Sequence, residues 1–246
     1  MKQAVILAAG RGLRLGSRSN GGPKCLLEVG GRTLIELQLG VLREAGIEHV
    51  CVVVGYCEDR VRSVVGNTCS HITNPRNAET NSLYSLWLAR EWVSGPFVLT
   101  NGDVLAHPEV YRRVMSVEGT ALAYDSSLGD DAEHMKVAFL DGRFRSISKD
   151  LPAAQTQGEN VGILKFERDT AELLFEEASA LVASGELKSW GPAAVDRIAD
   201  RAAVRGVDVA DLPWTEIDFP EDMTFARERI WPAILEEHGV AKGTEL

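Results

Sequence analysis

Residues 5–28, VILAAGRGLRLGSRSNGGPKCLLE, decide the fold predicted for this chain. The stretch opens with four consecutive apolar residues, a pattern typical of a strand that is buried on both faces of a parallel sheet. Glycines and cationic side chains follow, and glycine lets a backbone turn sharply and approach a ligand closely. Arginine and lysine supply donors for phosphate oxygens. The stretch therefore predicts a strand that leads into a loop cradling phosphates.

The glycine loop differs from two better-known phosphate-binding motifs. Gly10, Gly12 and Gly16 give GxGxxxG, whereas a dinucleotide fingerprint needs GxGxxG with a helix starting inside it. The following residues, SRSNGGP, break a helix rather than continue it. A Walker A motif is excluded because the Gly-Lys-Ser/Thr ending is missing. We therefore expect a long loop that wraps a ligand, with a glycine-rich turn carrying solvated arginines as the alternative.

The totals of the sequence limit the class of protein. The chain has 246 residues, 45% of them hydrophobic, which predicts one domain over residues 1–246 with a sizeable core. The net charge of −10 disfavours nucleic acid as a partner. No apolar run reaches the roughly 20 residues that span a bilayer, and the N-terminus is too short for a signal peptide. Without CxxC spacing, the cysteines predict reduced thiols in a cytoplasmic protein. They are Cys25, Cys51, Cys57 and Cys69.

Strands alternate with helices through the first half of the chain, which predicts right-handed crossovers and a mostly parallel sheet. Thr33 and Glu36 form a capping box that opens a helix, and Gly46 closes it. In the second half, Asp141 and Gly142 between two apolar runs predict a hairpin. Strands are predicted at 5–8, 49–54, 71–73, 97–100, 121–124, 136–140, 143–148, 162–166, 204–209 and 214–218. Further helices are predicted at 58–65, 82–92, 170–184, 192–201 and from 220 onward, before a frayed tail after His238.

Several motifs, in order, resemble one family. Residues 10–15, GRGLRL, followed by Pro23 and Lys24, resemble the signature loop of the sugar-phosphate nucleotidyltransferase superfamily. Other stretches are similar to its choline-phosphate and inositol-1-phosphate cytidylyltransferase branch: Asn74, 80–86 (TNSLYSL), 133–137 (EHMKV), 147–149 (ISK), 158–163 (GENVGI) and 216–222 (EIDFPED). The resemblance implies an α/β, three-layer Rossmann-like (GT-A-like) fold with a mixed, mostly parallel central sheet and a β-hairpin excursion. It implies a nucleotide-binding half at about 1–120 and an acceptor-binding half at about 121–240.

The implied reaction is attack of a phosphate oxygen on the α-phosphorus of a nucleoside triphosphate, with release of pyrophosphate. The attacking phosphate is already ionised, since its second pKa is about 6, so no general base is needed. Two polyanions must be brought into line, which calls for cations and positioning. The resemblance implies Mg²⁺ held by Asp103 and Asp218, both at strand ends. A turn role for Asp103 and a helix N-cap role for Asp218 are the alternatives.

The same resemblance assigns roles on the nucleotide side. Lys24 would contact the phosphates near the new bond, and Arg14 would contact the departing pyrophosphate. For Arg11 two roles stay open: it binds phosphate, or its side chain is solvated. Asn81 and Ser82 are candidates for reading the base, and an N-cap role for Ser82 stays open. The predicted catalytic residues are Lys24, Arg14 and Asp103. The predicted nucleotide-binding residues are Leu7, Ala8, Ala9, Gly10, Arg11, Gly12, Asn81, Ser82 and Gly102.

The acceptor side is less determined. Lys149 resembles the lysine that holds the acceptor phosphate, and the predicted acceptor residues are Lys149, Lys136, Glu159 and Gly162. An outward-facing Lys136 is equally compatible with the hairpin. A choline-phosphate enzyme needs an aromatic cage, but His134 and Met135 stand where that branch has a tryptophan, and Trp190 and Trp214 suit a core. An acidic run could hold hydroxyls or an amine, or simply be solvated: Asp125, Asp130, Asp131 and Glu133.

The sequence thus predicts a Mg²⁺-dependent transferase that joins CTP to a phosphorylated alcohol, polyol or phosphonate, without nucleic acid or membrane as a partner. A homodimer is compatible with it. The first alternative is a sugar-1-phosphate nucleotidyltransferase that uses dTTP, UTP or GTP. The second is a non-catalytic nucleotide-binding regulator, which the presence of Lys24, Asp103 and Asp218 disfavours. A glycosyltransferase would want a DxD motif, and Asn101-Gly102-Asp103 lacks the first aspartate.

Overall fold

A computed structural model describes residues 1–12, 14–15, 21–127 and 134–237. Gly16, the acidic positions Asp130, Asp131 and Glu133, and the tail from His238 onward lie outside the described residues. The strands are β1 (Gln3–Ala8), β2 (Glu28–Val29), β3 (Arg32–Thr33), β4 (His49–Val54), β5 (Ser70–Thr73), β6 (Phe97–Asn101), β7 (Val104–Ala106), β8 (Thr120–Asp125), β9 (Lys136–Leu140), β10 (Arg143–Ser148), β11 (Gly158–Phe166), β12 (Val204–Asp208) and β13 (Trp214–Glu216).

The helices alternate with these strands. They are α1 (Leu34–Glu44), α2 (Glu58–Val65), α3 (Ser82–Leu88), α4 (Pro108–Ser116), α5 (Arg168–Ala183), α6 (Pro192–Arg197), α7 (Pro220–Phe225) and α8 (Trp231–Glu237). A π-helical segment, Ala226–Ile230, joins the last two. Short 3₁₀ turns lie at Lys24–Leu26, Gly66–Thr68, Ala89–Glu91 and Ala153–Gln155. Among the described residues, no helix is both long and apolar enough to cross a membrane.

One large mixed sheet organises the molecule. Within the described residues it has nine strands in the order β5-β4-β1-β6-β11-β8-β12-β10-β9. Seven strands run in one direction, while β10 and β11 run in the other. β1 lies between β4 and β6, where Val5 pairs with Cys51 on one side and Leu99 on the other. The predicted fold class is confirmed, and the glycine loop leaves the sheet from an interior strand.

Helices cover both faces of the sheet and give three layers. One face packs against α1, α2 and α4, through side chains such as Ile35, Val61 and Val110. The other packs against α3, α5 and α6, which contribute side chains such as Leu86 and Leu174. Because both faces are covered, the interior strands are continuous apolar runs, as the sequence predicted.

Local signals placed several elements correctly. The Thr33 hydroxyl accepts from the Glu36 amide at 3.3 Å, and the Glu36 carboxylate accepts from the Thr33 amide at 2.8 Å, so the capping box is present. Asp141 and Gly142 both have positive φ, 50° and 74°, as a tight hairpin turn requires. The four cysteines are free thiols; Cys25 and Cys51 are buried.

The sequence interpretation omitted β7 and α4 and made two helices too long. Pro108 opens α4 at its first turn, and the His107 imidazole Nδ1 accepts from the Glu109 amide at 3.1 Å, which replaces a serine or aspartate cap. The helix predicted over 82–92 ends as α-helix at Leu88 and tightens into a 3₁₀ turn. The helix predicted over 192–201 ends at Arg197.

Candidate active site

A cleft of about 430 Å³ opens at the carboxyl ends of β1 and β6, where ligands of open α/β sheets bind. All nine residues predicted to bind the nucleotide line it, together with the two cations Lys24 and Arg14 and the two predicted metal ligands. Lys149 also lines it. The other lining residues are Cys25, Asn74, Asn77, Ala78, Thr80, Ser85, Asn101, Trp190 and Glu216.

Two glycines let separate loops meet at the floor of the cleft. Gly12 has φ +62°, and a Cβ there would lie 2.8 Å from Cγ of Lys24. Gly102 donates its amide to the Leu7 carbonyl at 2.9 Å, and its Cβ would lie 3.0 Å from that same oxygen. A side chain at Gly12 would collide with the Lys24 side chain, and one at Gly102 would press on the Leu7 carbonyl and on Ala8. Both glycines therefore permit close approach, and at Gly12 the positive φ also favours glycine.

Lys24 lies at the centre of the charged groups. A 3₁₀ turn that follows Pro23 directs its ammonium toward two carboxylates, Asp103 at 2.9 Å and Asp218 in direct contact. Burial alone would lower the pKa of Lys24, but Asp103 and Asp218 reverse that effect and raise it above its ordinary value. Lys24 is accordingly a fixed positive charge at neutral pH.

Arg14 flanks this group at the mouth of the cleft. Its guanidinium is 3.4 Å from the Asp218 carboxylate and 5.2 Å from the centre of the Phe219 ring. Arg11 is exposed and stacks over the Tyr56 ring at 5.0 Å, so it is both solvated and on the cleft wall. Two arginines thus border the space that a triphosphate would enter.

Three carboxylates converge opposite the loop. Asp103, Glu216 and Asp218 each offer an oxygen within 4.8 Å of the others. β7 and β13 form a two-stranded antiparallel ribbon in which Val104 pairs with Glu216, and this ladder sets Asp103 beside Glu216 and Asp218. A cluster of carboxylate oxygens is the donor set that Mg²⁺ prefers, so these residues fit the metal implied by the resemblance.

Glu216 was not predicted as a ligand. Glu216 and Asp218 are two residues apart at a strand end, so they share a face of the chain, and that spacing is the signal that could have identified it. Burial raises the pKa of Glu216 well above its usual range, and the neighbouring charges of Asp103 and Asp218 raise it further. A divalent cation would relieve this repulsion by taking the place of the proton.

The alternatives for the two aspartates were a turn role for Asp103 and a helix N-cap role for Asp218. Asp218 does not cap α7, because the Asp222 carboxylate accepts from the backbone amides of Asp218 and Phe219 at 2.8 and 2.7 Å. The carboxylate of Asp218 faces Lys24 and Arg14 instead. Asp103 likewise directs its carboxylate to Lys24. Both acids therefore point into the cleft, although their predicted metal role stays a prediction.

The polar segment before α3 forms the wall where a base would lie. Asn81, rather than Ser82, is the N-cap of α3, with its side chain accepting from the Ser82 amide at 2.8 Å. The cap alternative for Ser82 is therefore wrong. Its hydroxyl accepts from the Gly191 amide at 2.8 Å, which ties this wall to the segment preceding α6. Asn74, 1% exposed, donates to the hydroxyls of Thr80 and Ser85 at 3.1 Å.

The lining of the cleft also carries a lysine and a tryptophan. The Lys149 ammonium lies 5.2 Å from the centre of the Trp190 ring. Trp190 is 46% exposed, so the expected core role is wrong for this residue. No sequence pattern indicates this exposure, because residues 184–191 lack a helical or strand periodicity. Trp214 is a core residue, as expected, and its indole donates to Asp125 at 2.8 Å.

Three predicted acceptor residues lie outside the lining of the cleft. Lys136 and Glu159 are opposite one another on paired strands, and each is 8% exposed, so the outward-facing alternative for Lys136 is wrong. The Glu159 carboxylate lies 3.3 Å from Nδ1 of His134 and close enough to Glu216 to act on its pKa. Gly162 has φ +78° at an irregularity of β11, where a Cβ would lie 2.8 Å from the Asn101 amide nitrogen. Their acceptor roles stay predictions.

Asp125 belongs to the interior rather than to an acidic solvated run. It is 5% exposed and accepts hydrogen bonds from the Trp214 indole and from the amide and hydroxyl of Ser127. Because its oxygens are engaged by neighbouring groups, Asp125 fixes the end of β8 and stands apart from the cleft lining.

Comparisons with known proteins identify the family of the chain and similar proteins. The model of a family described as the MobA-like NTP transferase domain matches residues 4–239. The chain is 32% identical to the CMP-5'-(3-aminopropyl)phosphonate synthase of Streptomyces rubellomurinus, over 94% of this chain and 39% of that protein. It is also 32% identical to a bifunctional IPC transferase and DIPP synthase of Rubrobacter xylanophilus, over 94% of this chain and 52% of that protein. The chain thus spans about half the length, or less, of these relatives.

A solved structure matches over the whole chain. The inositol-1-phosphate CTP transferase from T. maritima superposes with a TM-score of 0.81 at 23% identity, covering 100% of this chain and 98% of that one. At this level of identity the likeness shows the fold alone.

Proposed function

The chain belongs to the MobA-like NTP transferase domain family, and from this premise we propose that it is a cytidylyltransferase. It would join CTP to a small acceptor bearing a phosphate or phosphonate group and release pyrophosphate. Cytidine is supported by the proteins that this chain resembles, since one is a CMP-5'-(3-aminopropyl)phosphonate synthase and one with the same fold is an inositol-1-phosphate CTP transferase.

One observation carries the proposal: two cations and two carboxylates line the same cleft and pair with each other there. Lys24 and Arg14 come from the glycine loop, while Asp103 and Asp218 come from the β7–β13 ribbon. A polyphosphate needs the cations, and a divalent metal bound to that polyphosphate needs the carboxylates. This pairing suits transfer between two anions better than it suits hydrolysis or redox chemistry.

The transfer would proceed in line at the α-phosphorus. An oxygen of the acceptor phosphate or phosphonate forms the new P–O bond, the bond to the bridging α–β oxygen breaks, and its electron pair leaves with pyrophosphate. Lys24 would stabilise negative charge that builds on the α-phosphate, and Arg14 the charge on the leaving pyrophosphate. Mg²⁺, held by Asp103, Glu216 and Asp218, would neutralise charge on the phosphate oxygens. No side chain needs to remove a proton, because the acceptor oxygen is already ionised.

The acceptor would enter between Lys149 and the carboxylate cluster. The Lys149 ammonium supports an anionic acceptor, because it places a positive charge in the lining of the same cleft. The exposed face of Trp190 could pack on the carbon chain of an acceptor or on an ammonium group at its far end. Aminoalkylphosphonates and phosphorylated amino alcohols therefore lead the acceptors to be tested, with polyol phosphates next.

The test is a matrix of triphosphates against acceptors with pyrophosphate release as the readout. CTP, UTP, dTTP, GTP and ATP are combined with 3-aminopropylphosphonate, 2-aminoethylphosphonate, phosphocholine, inositol 1-phosphate and glucose 1-phosphate. We expect release with CTP and at least one acceptor, and loss of release in Lys24→Met. Preference for dTTP, UTP or GTP with a sugar phosphate would replace the proposal with that alternative. Absence of release in every combination would refute it.

A further inference from the structure

Gln38 is a buried amide in the middle of α1 that bonds outside its own helix. It is 3% exposed, and its Nε2 donates to the Asn101 carbonyl at 2.8 Å and to the Val104 carbonyl at 2.7 Å. These two carbonyls lie on either side of Gly102 and Asp103. One side chain thus holds both ends of the four-residue turn that presents Asp103 to the cleft.

The other sides of this turn are held by backbone bonds. The Gly102 amide donates to Leu7 at 2.9 Å, and the Asp103 carbonyl accepts from the Ile217 amide at 3.0 Å. The turn is thereby attached to β1 on one side and to the end of β13 on the other. The two bonds from Gln38 add α1 as a third point of attachment, so the turn cannot rotate about the line between the first two.

We propose that Gln38 is a positioning residue that sets where the Asp103 carboxylate stands, and therefore how tightly the carboxylate cluster binds a divalent cation. This inference rests on the proposed function, because that function gives Asp103 its task. Gln38 itself is absent from the lining of the cleft and would touch neither nucleotide nor acceptor.

The surroundings of Gln38 argue against a role in packing alone. Its Oε1 has no hydrogen-bond partner among the described residues, and the side chain borders a small cavity lined mainly by apolar groups such as Leu37, Val41 and Trp231. A buried acceptor without a partner lowers stability, so an apolar residue of equal size would suit this position better. The two hydrogen bonds that the amide donates to the turn offset this cost and explain why a glutamine occupies the position.

The test replaces Gln38 by methionine, which has nearly the same size but no donor. Binding of Mn²⁺ alone is measured by electron paramagnetic resonance, and the Mg²⁺ dependence of turnover is measured separately. We expect Gln38→Met to bind Mn²⁺ at least fivefold more weakly, to need more Mg²⁺ for half-maximal rate and to lose at least tenfold in kcat. The KM for CTP should change less than twofold.

Tyr111→Phe is the matched control. Tyr111 is 1% exposed, borders the same cavity and bonds to Thr100 at 3.2 Å, so removing its hydroxyl perturbs the same interior while both bonds from Gln38 to the turn are kept. Mn²⁺ affinity should stay within twofold of the wild type. Equal losses in both variants would refute positioning and leave only a packing role.

Unchanged Mn²⁺ affinity and Mg²⁺ dependence in Gln38→Met would also overturn the inference. If that variant does not fold, Gln38→Asn replaces it, because its amide is one methylene shorter and cannot reach both carbonyls. The same two measurements on Gln38→Asn then decide whether the residue positions the turn. If the wild type transfers no nucleotide, the proposed function fails, while the Mn²⁺ affinities still decide the role of Gln38.

Discussion

Lys24→Met should make the protein bind a divalent cation more tightly when no nucleotide is present. In the free protein, the Lys24 ammonium lies between Asp103 and Asp218, against two of the three carboxylates that would ligate a metal. Lysine and metal therefore compete for the same oxygens. We expect the ammonium to leave the cluster only when a triphosphate offers it phosphate oxygens in exchange.

The magnitude follows from the contacts that the cation must break. A hydrogen bond to a charged partner contributes about 1.5–3 kcal/mol, and Lys24 makes two such bonds. The three side chains are 18%, 20% and 31% exposed, so solvent screening reduces the sum, and we take about 2 kcal/mol. At about 1.4 kcal/mol per factor of ten, the gain in Mn²⁺ affinity is about thirtyfold.

Titration calorimetry of the nucleotide-free protein with Mn²⁺ measures this gain. Arg14→Met is the control, because Arg14 is 48% exposed and lies 3.4 Å from Asp218, so its removal should change the affinity less than threefold. If folded Lys24→Met binds Mn²⁺ no more tightly than the wild type, the competition does not exist. If neither protein binds Mn²⁺ at all, the proposed metal site is wrong.

Four further predictions concern single side chains. Asp103→Asn should lower kcat at least a hundredfold while the melting temperature stays within a few degrees, and a near-normal rate would remove Asp103 from the site. Trp190→Ala should raise the KM for the acceptor about tenfold and leave the KM for CTP within twofold; an equal rise in both would place the ring elsewhere. Burial, aided by the charge of Asp103, raises the pKa of Cys25 to about 12, so iodoacetamide at pH 8 should label the half-exposed Cys57 and spare Cys25, as peptide mass spectrometry can test. The folded-state pKa of Cys25 lies above the ordinary 9.0, so the unfolded chain loses this proton at lower pH than the native state does. The free energy of unfolding should therefore fall between pH 9 and 12, and Cys25→Ala should reduce that fall. Denaturant titration at each pH measures it.

The sequence was sufficient where a local rule fixes the geometry. The capping box at Thr33, the hairpin at Asp141 and Gly142, and the buried run of β1 each depend on a few neighbouring residues. The resemblance to the sugar-phosphate nucleotidyltransferase superfamily is confirmed by the family match over residues 4–239. The residues that these motifs assigned to nucleotide binding all line the cleft.

Other features depend on contacts that a local pattern does not contain. β7 was missed because three residues become a strand only through pairing with β13, far along the chain. Glu216 lay in a quoted motif, yet its approach to Asp103 requires that same pairing. The exposure of Trp190 and the two bonds made by Gln38 likewise result from how distant segments pack. Side-chain chemistry was predictable from sequence, while proximity across the fold required the structure.

The β7–β13 ribbon has a consequence for how such enzymes can change specificity. β7 ends at Ala106 and β13 begins at Trp214, so the hairpin, β11 and α5 are all inserted between the two halves of the carboxylate cluster. Backbone pairing of Val104 with Glu216 and of Ala106 with Trp214 joins the two ends of that insertion. Loops within this insertion can change in length or in side chains while the strand pairing keeps Asp103 beside Glu216 and Asp218. Under the proposed function, the same carboxylate cluster would then serve proteins that activate different molecules.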